Sequence, residues 1–519
     1  MENSYDKIPY AGRAHQQTHI EKIASIAFLF QVPFPPIETA RVLELGCGDG
    51  SNIINMAYSL PKAQFLGFDA SSVQIERGRE TIQNIALSNV TLHHCDLLDS
   101  PSELGLFDYI ICHGVFSWVA PVVQDKILSI CRAHLQPNGI GYISYNALPG
   151  WHMYDALRKM MQYHVRNIDD ESKKIEQAIA MLQFVSQHVP DPYSSYGSFV
   201  RSNTSKLSAS TGEYIFHEYL EEHNQAFYFH EFIEKIKGHS LQYLGDTHFN
   251  TMNNLQYPDY TQKVLNELSP NIFALEQYMD FLRFRRFRCS LITHDNKEIS
   301  REVDLSPFTQ VYYSLHPNKD PNKVWKKPTE EEIEELLENT FIPVEDTSAK
   351  NIPLYSIPIR TLCERWPGYL HFDDLIQKTE EKQQQNLSVS EKANVAALLQ
   401  TLFLKEIVEI HLFSPPIACE ISQRPLLSPV ARQQILYQHS ICTLHHTTLY
   451  IQEPWMHELL PLLDGTRTIP ELIDELWQRY QSGRCLSLFG EKEEPSRKGT
   501  RYKVDDLLSL LLCNATLIQ

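Results

Sequence analysis

What this chain of 519 residues lacks narrows the field first. None of its ten cysteines forms a CxxC pair. A structural zinc site or disulfide framework is therefore not expected, and reduced thiols in a cytoplasmic setting fit best. Apolar runs such as Leu507 to Cys513 fall far short of the roughly 20 residues of a membrane-spanning helix. The opening MENSYDKIPY has no basic segment followed by an apolar block, so no signal peptide is expected. Basic charge is also scarce: 46 Lys and Arg face 64 Asp and Glu, for a net charge of −18. Such a surface repels polyanions, which argues against a nucleic-acid partner. It serves solubility, and it can attract a lysine-rich substrate. What remains, 43% hydrophobic and 21% charged residues, is ordinary for a globular protein of two to four domains.

Residues 41 to 145 alternate short apolar runs with helical patterns. RVLELG (41–46), AQFLGFD (63–69), VTLHHCD (90–96), FDYIICHG (107–114) and GIGYISYN (139–146) are the runs. Alternation at this pitch predicts a parallel α/β sheet covered by helices on both faces, a Rossmann-like arrangement. Residues 150–226 read as a helical insertion, with the Ser- and Thr-rich stretch 191–212 as loop. Two later helix–strand pairs, 227–246 and 274–295, could close the same sheet. One catalytic domain is thus expected over 1–295, with 227–295 as its last part. A polar, proline-bearing linker is expected over 296–325, and winged-helix-like modules over 326–519. The acidic run 329–340 reads as a solvated helix face.

The glycine turn ELGCGDGSN carries Gly46, Gly48 and Gly50 in GxGxG spacing. A dinucleotide turn prefers GxGxxG, and a P-loop needs Lys-Ser/Thr after its last glycine. Here Ser51 and Asn52 follow, so a phosphate finds no cation. Glu44 and Asp49 flank the turn, with Cys47 between them. Two carboxylates disfavour phosphate and suit the sulfonium and ammonium of S-adenosylmethionine. Asp69, followed by Ala70, ends the second run where an acid reaches ribose hydroxyls. Asp96 is placed to accept from the adenine amino group, with Leu97 beside the ring. His113 either contacts the cofactor or serves with Gly114 only to shape the turn; a general-base role is the least favoured. HDNKE and CTLHH lack metal-site spacing, so no metal is expected. The arginines of RFRRFR (283–288) are read as partners of the acidic surface.

These motifs resemble a known family, the class I S-adenosylmethionine-dependent methyltransferases with a methyltransferase regulatory region, of the rickettsial protein-lysine type. The resemblance rests on SYDKIPY, THIEKIASIAFLF (18–30), RVLELGCGDGSN, FDYIICHGVFSWV (107–119), NGIGYISYNALPGWH (138–152), FHEF (229–232) and LEQYMDFLRFRRFR (275–288). It covers roughly residues 4 to 295. Ile20 departs from it, standing where the family has proline. The resemblance implies a protein substrate methylated on lysine, Tyr5 folded over the cofactor as a lid, and a homodimer; the helical insertion is a candidate for the contact.

Lysine must be neutral to react, although its unperturbed pKa is about 10.4. An apolar aromatic slot would lower that value, and in-line displacement could then proceed without a covalent intermediate. Tyr145 and Asn146 are expected to bracket the methyl group, with Phe116, Trp118 and Trp151 lining the slot. Two other readings compete: methylation of a small molecule, and a cofactor-sensing protein without turnover. A DNA methyltransferase is disfavoured, because CHGVFSW lacks an Asn/Asp-Pro-Pro-Tyr arrangement.

Overall fold

The structure is a computed structural model that describes residues 4–301, 306–315, 329, 331–333, 352–490 and 493–519. Seven strands form its central sheet: β1 Arg41–Leu45, β2 Gln64–Asp69, β3 Val90–His94, β4 Phe107–Cys112, β5 Leu135–Asn146, β6 Leu241–Asp246 and β7 Phe287–His294. Their order is β3-β2-β1-β4-β5-β7-β6. The first five run parallel, and β7 lies antiparallel between β5 and β6.

Both faces of the sheet are covered, so its strands read as continuous apolar runs rather than alternating ones. Val42, Tyr109, Ile111 and Tyr142 enter one core with helices Ile20–Leu29 and Ser51–Ser59. Leu43, Ile110, Cys112 and Tyr145 enter the other, against helices Pro121–His134 and Phe229–Lys237. The departure at Ile20 falls on the first residue of a helix, with the His19 ring accepting from the Glu21 N–H at 3.2 Å. That position tolerates proline because its N–H has no partner within the helix.

The insertion is helical throughout most of its length and has its own core, from Leu157 and Met161 to Leu207 and Tyr219. Its third helix, Ser195–Ser208, lies where a loop is expected. Ser194 caps it by accepting from the Gly197 N–H at 3.1 Å, and Val200, Asn203, Thr204 and Leu207 are buried at helical spacing. The hydroxyl-rich composition conceals that stripe.

Two modules follow. One pairs β8 Tyr312–Leu315 with β9 Leu370–His371 and β10 Val408–His411, around a core that includes Leu375, Leu398 and Leu402. The other holds the hairpin β11 Ser440–Cys442 and β12 Thr448–Tyr450 with helices Ile469–Gln481 and Arg497–Cys513. Residues 306–315, expected inside the linker, are instead part of the first module: Phe308, Val311 and Tyr313 are buried in its core. The rest of the expected linker, apart from 296–301, and nearly all of the acidic run 329–340 lie outside the described residues. Among the described residues no helix is long and apolar enough to cross a membrane.

RFRRFR turns inward rather than facing an acidic surface. Arg288 is fully buried and forks onto Asp280 at 2.7 and 2.9 Å while reaching Glu276 at 2.9 Å. Both acids sit one turn apart on helix Ile272–Arg283. Arg285 pairs with buried Asp246 at 2.7 Å, and Arg283 donates to the Thr251 carbonyl at 2.7 Å. Removing one partner of a buried pair leaves the other charge uncompensated. Arg288→Ala should therefore cost about 3–5 kcal/mol in denaturant unfolding; a loss below about 1 kcal/mol would remove this lock from the account.

Candidate active site

The loops at the carboxyl ends of β1 to β5 meet at one cavity of about 660 Å³. From the sequence-derived set it brings together Glu44, Gly46, Cys47, Gly48, Asp49, Asp69, Ala70, Asp96, Leu97, His113, Gly114, Trp118, Asn146, Trp151 and Tyr5. Gly46, Gly48 and Gly50 all take positive φ, at 76°, 56° and 74°. A Cβ on Gly46 would fall 2.4 Å from Val115, whereas one on Gly48 meets nothing nearer than 3.8 Å. Gly48 is thus where backbone and open cavity adjoin.

Three expected residues stand elsewhere. Gly50 does not line the cavity; it caps helix Ser51–Ser59 and packs tightly on Leu92. Tyr145 is buried behind the sheet, stacked on Phe232 at 4.2 Å with its hydroxyl 3.2 Å from that of Ser290. Successive strand residues face opposite ways, so Asn146 reaches the cavity and Tyr145 cannot. Phe116 is likewise buried in that rear core, against Phe227 and Phe232.

The carboxylates define the chemistry. Glu44 accepts from the Asn52 amide at 2.7 Å, while its second oxygen is buried without a hydrogen-bond partner. Burial pushes its carboxyl up to about 8, against the lowering effect of Asn52. Asp49 accepts from the Ser51 N–H at 2.9 Å and also keeps one buried oxygen unmatched. Asp69 receives the Gly48 and Ser71 N–H groups, each at 2.8 Å, and burial still raises its pKa. Unmatched acceptors beside an open glycine suit a ligand that brings positive charge and N–H or O–H donors.

His113 is fixed rather than poised. Its Nδ1 lies 2.9 Å from the Tyr142 hydroxyl, and its ring packs against that of His15, tilted by 42° at 4.1 Å. Burial drives its pKa well below the ordinary histidine value, so the ring is neutral. Trp118 meets the edge of Trp151 at 6.1 Å, and the Arg158 guanidinium lies 5.5 Å from its ring. The Asn146 amide nitrogen is buried without a hydrogen-bond partner.

Much of the wall comes from positions that sequence reasoning missed. Tyr10, Gly12, Arg13 and His15 contribute from the N-terminal segment, and Tyr154, Tyr214, Glu218 and Tyr219 from the insertion. Arg286 and Phe287 close it at β7. The available signal was the tyrosine density of EYIFHEYL, residues 213–220.

This geometry is that of a class I methyltransferase, and comparison with known proteins agrees. Residues 38–221 match a methyltransferase domain, 211–294 a "predicted methyltransferase regulatory domain", and 423–515 a "PKMT, C-terminal winged helix domain". Two uncharacterized proteins of Rickettsia prowazekii are similar. One is 38% identical over 62% of this chain and 58% of its own length; the other is 42% identical over 45% of this chain and 94% of its own. The chain thus spans 58% of the first of these relatives. The solved structure of PKMT2 from Rickettsia typhi in complex with AdoHcy is 30% identical, covers 98% of this chain and 100% of that one, and superposes with a TM-score of 0.80. The chain belongs to this family of S-adenosylmethionine-dependent methyltransferases with a regulatory domain and a C-terminal winged helix.

Two measurements follow from the cofactor end. If Asp69 holds the ribose hydroxyls, Asp69→Ala should weaken adenosylhomocysteine binding roughly ten- to hundredfold by calorimetry; unchanged affinity would refute that role. If Glu44 receives the cationic group of the cofactor, it must ionise to do so. Affinity should therefore rise as pH climbs toward about 8, with proton release on binding. Glu44→Gln should flatten that slope, and a slope that persists would assign it to another group.

Proposed function

We propose that the chain methylates lysine side chains of a protein substrate. The observation that carries this reading is the aromatic wall sharing the cavity with the carboxylates: Trp118, Trp151, Tyr154, Tyr214 and Tyr219. S-Adenosylmethionine, when bound, supplies a methyl group on a positively charged sulfur. Glu44, Asp69 and Asp96 are the residues that would hold it.

The rest is the work of the chain's own side chains. A lysine entering the slot exchanges water for aromatic faces, which favours its neutral form. The same faces tolerate the cationic product, by roughly 0.5–2 kcal/mol per contact. Arg158 already lies over the Trp118 ring, so Tyr154, Tyr214 and Tyr219 are the better candidates for that contact. The Asn146 amide positions the amine at the cavity wall. Orientation and dryness of this kind can supply about 7–11 kcal/mol of barrier reduction.

Two further facts support a protein acceptor. The structural relative PKMT2 of Rickettsia typhi covers 98% of this chain, and the C-terminal match is to the winged helix of the same class. Two modules beyond the catalytic sheet give a polypeptide substrate surfaces to rest on.

The test is direct. The protein is incubated with methyl-labelled S-adenosylmethionine and fractionated cell protein, and the label is mapped by residue after hydrolysis. Label in methylated lysine is the expected result. Label confined to small molecules, or cofactor uptake without transfer, would overturn the proposal.

A further inference from the structure

Glu218 is set apart from the carboxylates at the glycine turn. It rides on a π-helical turn, Phe216–Leu220, a wide turn that often marks functional sites. That turn is firmly held. The His217 ring lies 3.0 Å from the Glu221 carboxylate and 2.6 Å from the Ile8 carbonyl, and Tyr5 stacks on it at 4.2 Å. Glu218 itself lines the cavity and neither accepts a hydrogen bond nor forms an ion pair among the described residues.

Its surroundings explain why that is unusual. Tyr5, Tyr10, Tyr214 and Tyr219 all feel its charge. The basic side chains facing it are His217, Arg158, Arg13 and Arg286. Among the described residues the arginines form no ion pair with it, although Arg13 Nε and Arg158 Nε and Nη1 are buried without a hydrogen-bond partner. Arg158 donates to the Glu221 carbonyl, and Arg286 donates to the Tyr154 hydroxyl at 2.6 Å. Arg13 lies 5.4 Å from the Tyr10 ring and 5.6 Å from the Tyr450 ring. A carboxylate placed in an aromatic wall without an internal ion pair is costly to desolvate. A cation that enters the cavity would compensate it.

We propose that Glu218 receives the primary ammonium of the acceptor side chain and takes one proton from it. The proposal rests on lysine as the acceptor. An N–H bond of the ammonium breaks, its electron pair stays on nitrogen, and an O–H bond forms on Glu218; the proton later leaves to water. Burial holds the Glu218 carboxyl up to about 7, against the opposing pull of His217 and the arginines. A raised carboxyl pKa lessens the mismatch with an amine that the same aromatic wall makes less basic.

The experiment uses Glu218→Gln, which keeps shape and removes charge, and Glu218→Asp, which keeps charge. In full-length protein saturated with adenosylhomocysteine, n-butylammonium binding is measured by calorimetry at about pH 8, where lysine-like amines stay protonated. Glu218→Gln should lower that affinity about tenfold or more, and Glu218→Asp should retain it within about threefold. Adenosylhomocysteine affinity and thermal midpoint should stay unchanged in both. Turnover on labelled lysine should fall roughly hundredfold in Glu218→Gln, and the acidic limb of its pH–rate profile near 7 should vanish. Equal butylammonium binding in wild type and Glu218→Gln, or none in wild type, would overturn the assignment. Label on something other than lysine, with charge-dependent butylammonium binding intact, would overturn the lysine reading and leave Glu218 as an ammonium receptor.

Discussion

One side-chain amide, that of Asn52, joins two walls of the site to a module that lies outside it. Its nitrogen donates to Glu44 at 2.7 Å. Its oxygen meets the His15 N–H at 3.2 Å, the Thr18 hydroxyl at 2.9 Å and His446 Nε2 at 2.8 Å. The glycine turn, the N-terminal segment and the second C-terminal module are therefore fastened at one buried point. Asn55 adds to it by donating to the Thr443 carbonyl at 2.9 Å and approaching His446 Nδ1 at 3.0 Å. Gln434 reaches the Ser51 hydroxyl at 3.2 Å. Most polar groups buried at this depth are matched, and here matching partners come from segments almost 400 residues apart.

The site divides its charges. Acids cluster at the glycine turn, where buried oxygens stay unmatched. Arginines gather toward the insertion and β7, where they are held by carbonyls, rings and a tyrosine hydroxyl. Net charge alone does not reveal that division. A chain at −18 overall still buries Arg288 and Arg158 completely, and each serves as a structural bolt.

The sheet was legible because its parallel strands are buried on both faces and most of their runs end at glycine or aspartate. The carboxylates at those ends could be named from position alone, since every such loop must open at the same edge. Facing was harder to read. Tyr145 and Asn146 are neighbours in a strand, and only the packing of Phe232 decides which of them turns toward the cavity. Ser195–Ser208 hid its buried stripe under hydroxyls that bond back to the backbone, as Thr204 does to the Val200 carbonyl at 2.8 Å. The wall formed by Tyr154, Tyr214 and Glu218 was out of reach for a different reason. No local pattern states that a helical insertion folds back over the loop that precedes it.

His446 links the winged helix to Glu44 through the Asn52 amide. Whatever Glu44 and Asn52 gain in readiness from being held by that ring, an occupied cavity returns to the packing of residues 440–450 in equal measure. If filling the pocket changes how Asn52 is held, the seating of the distal module changes by the same free energy.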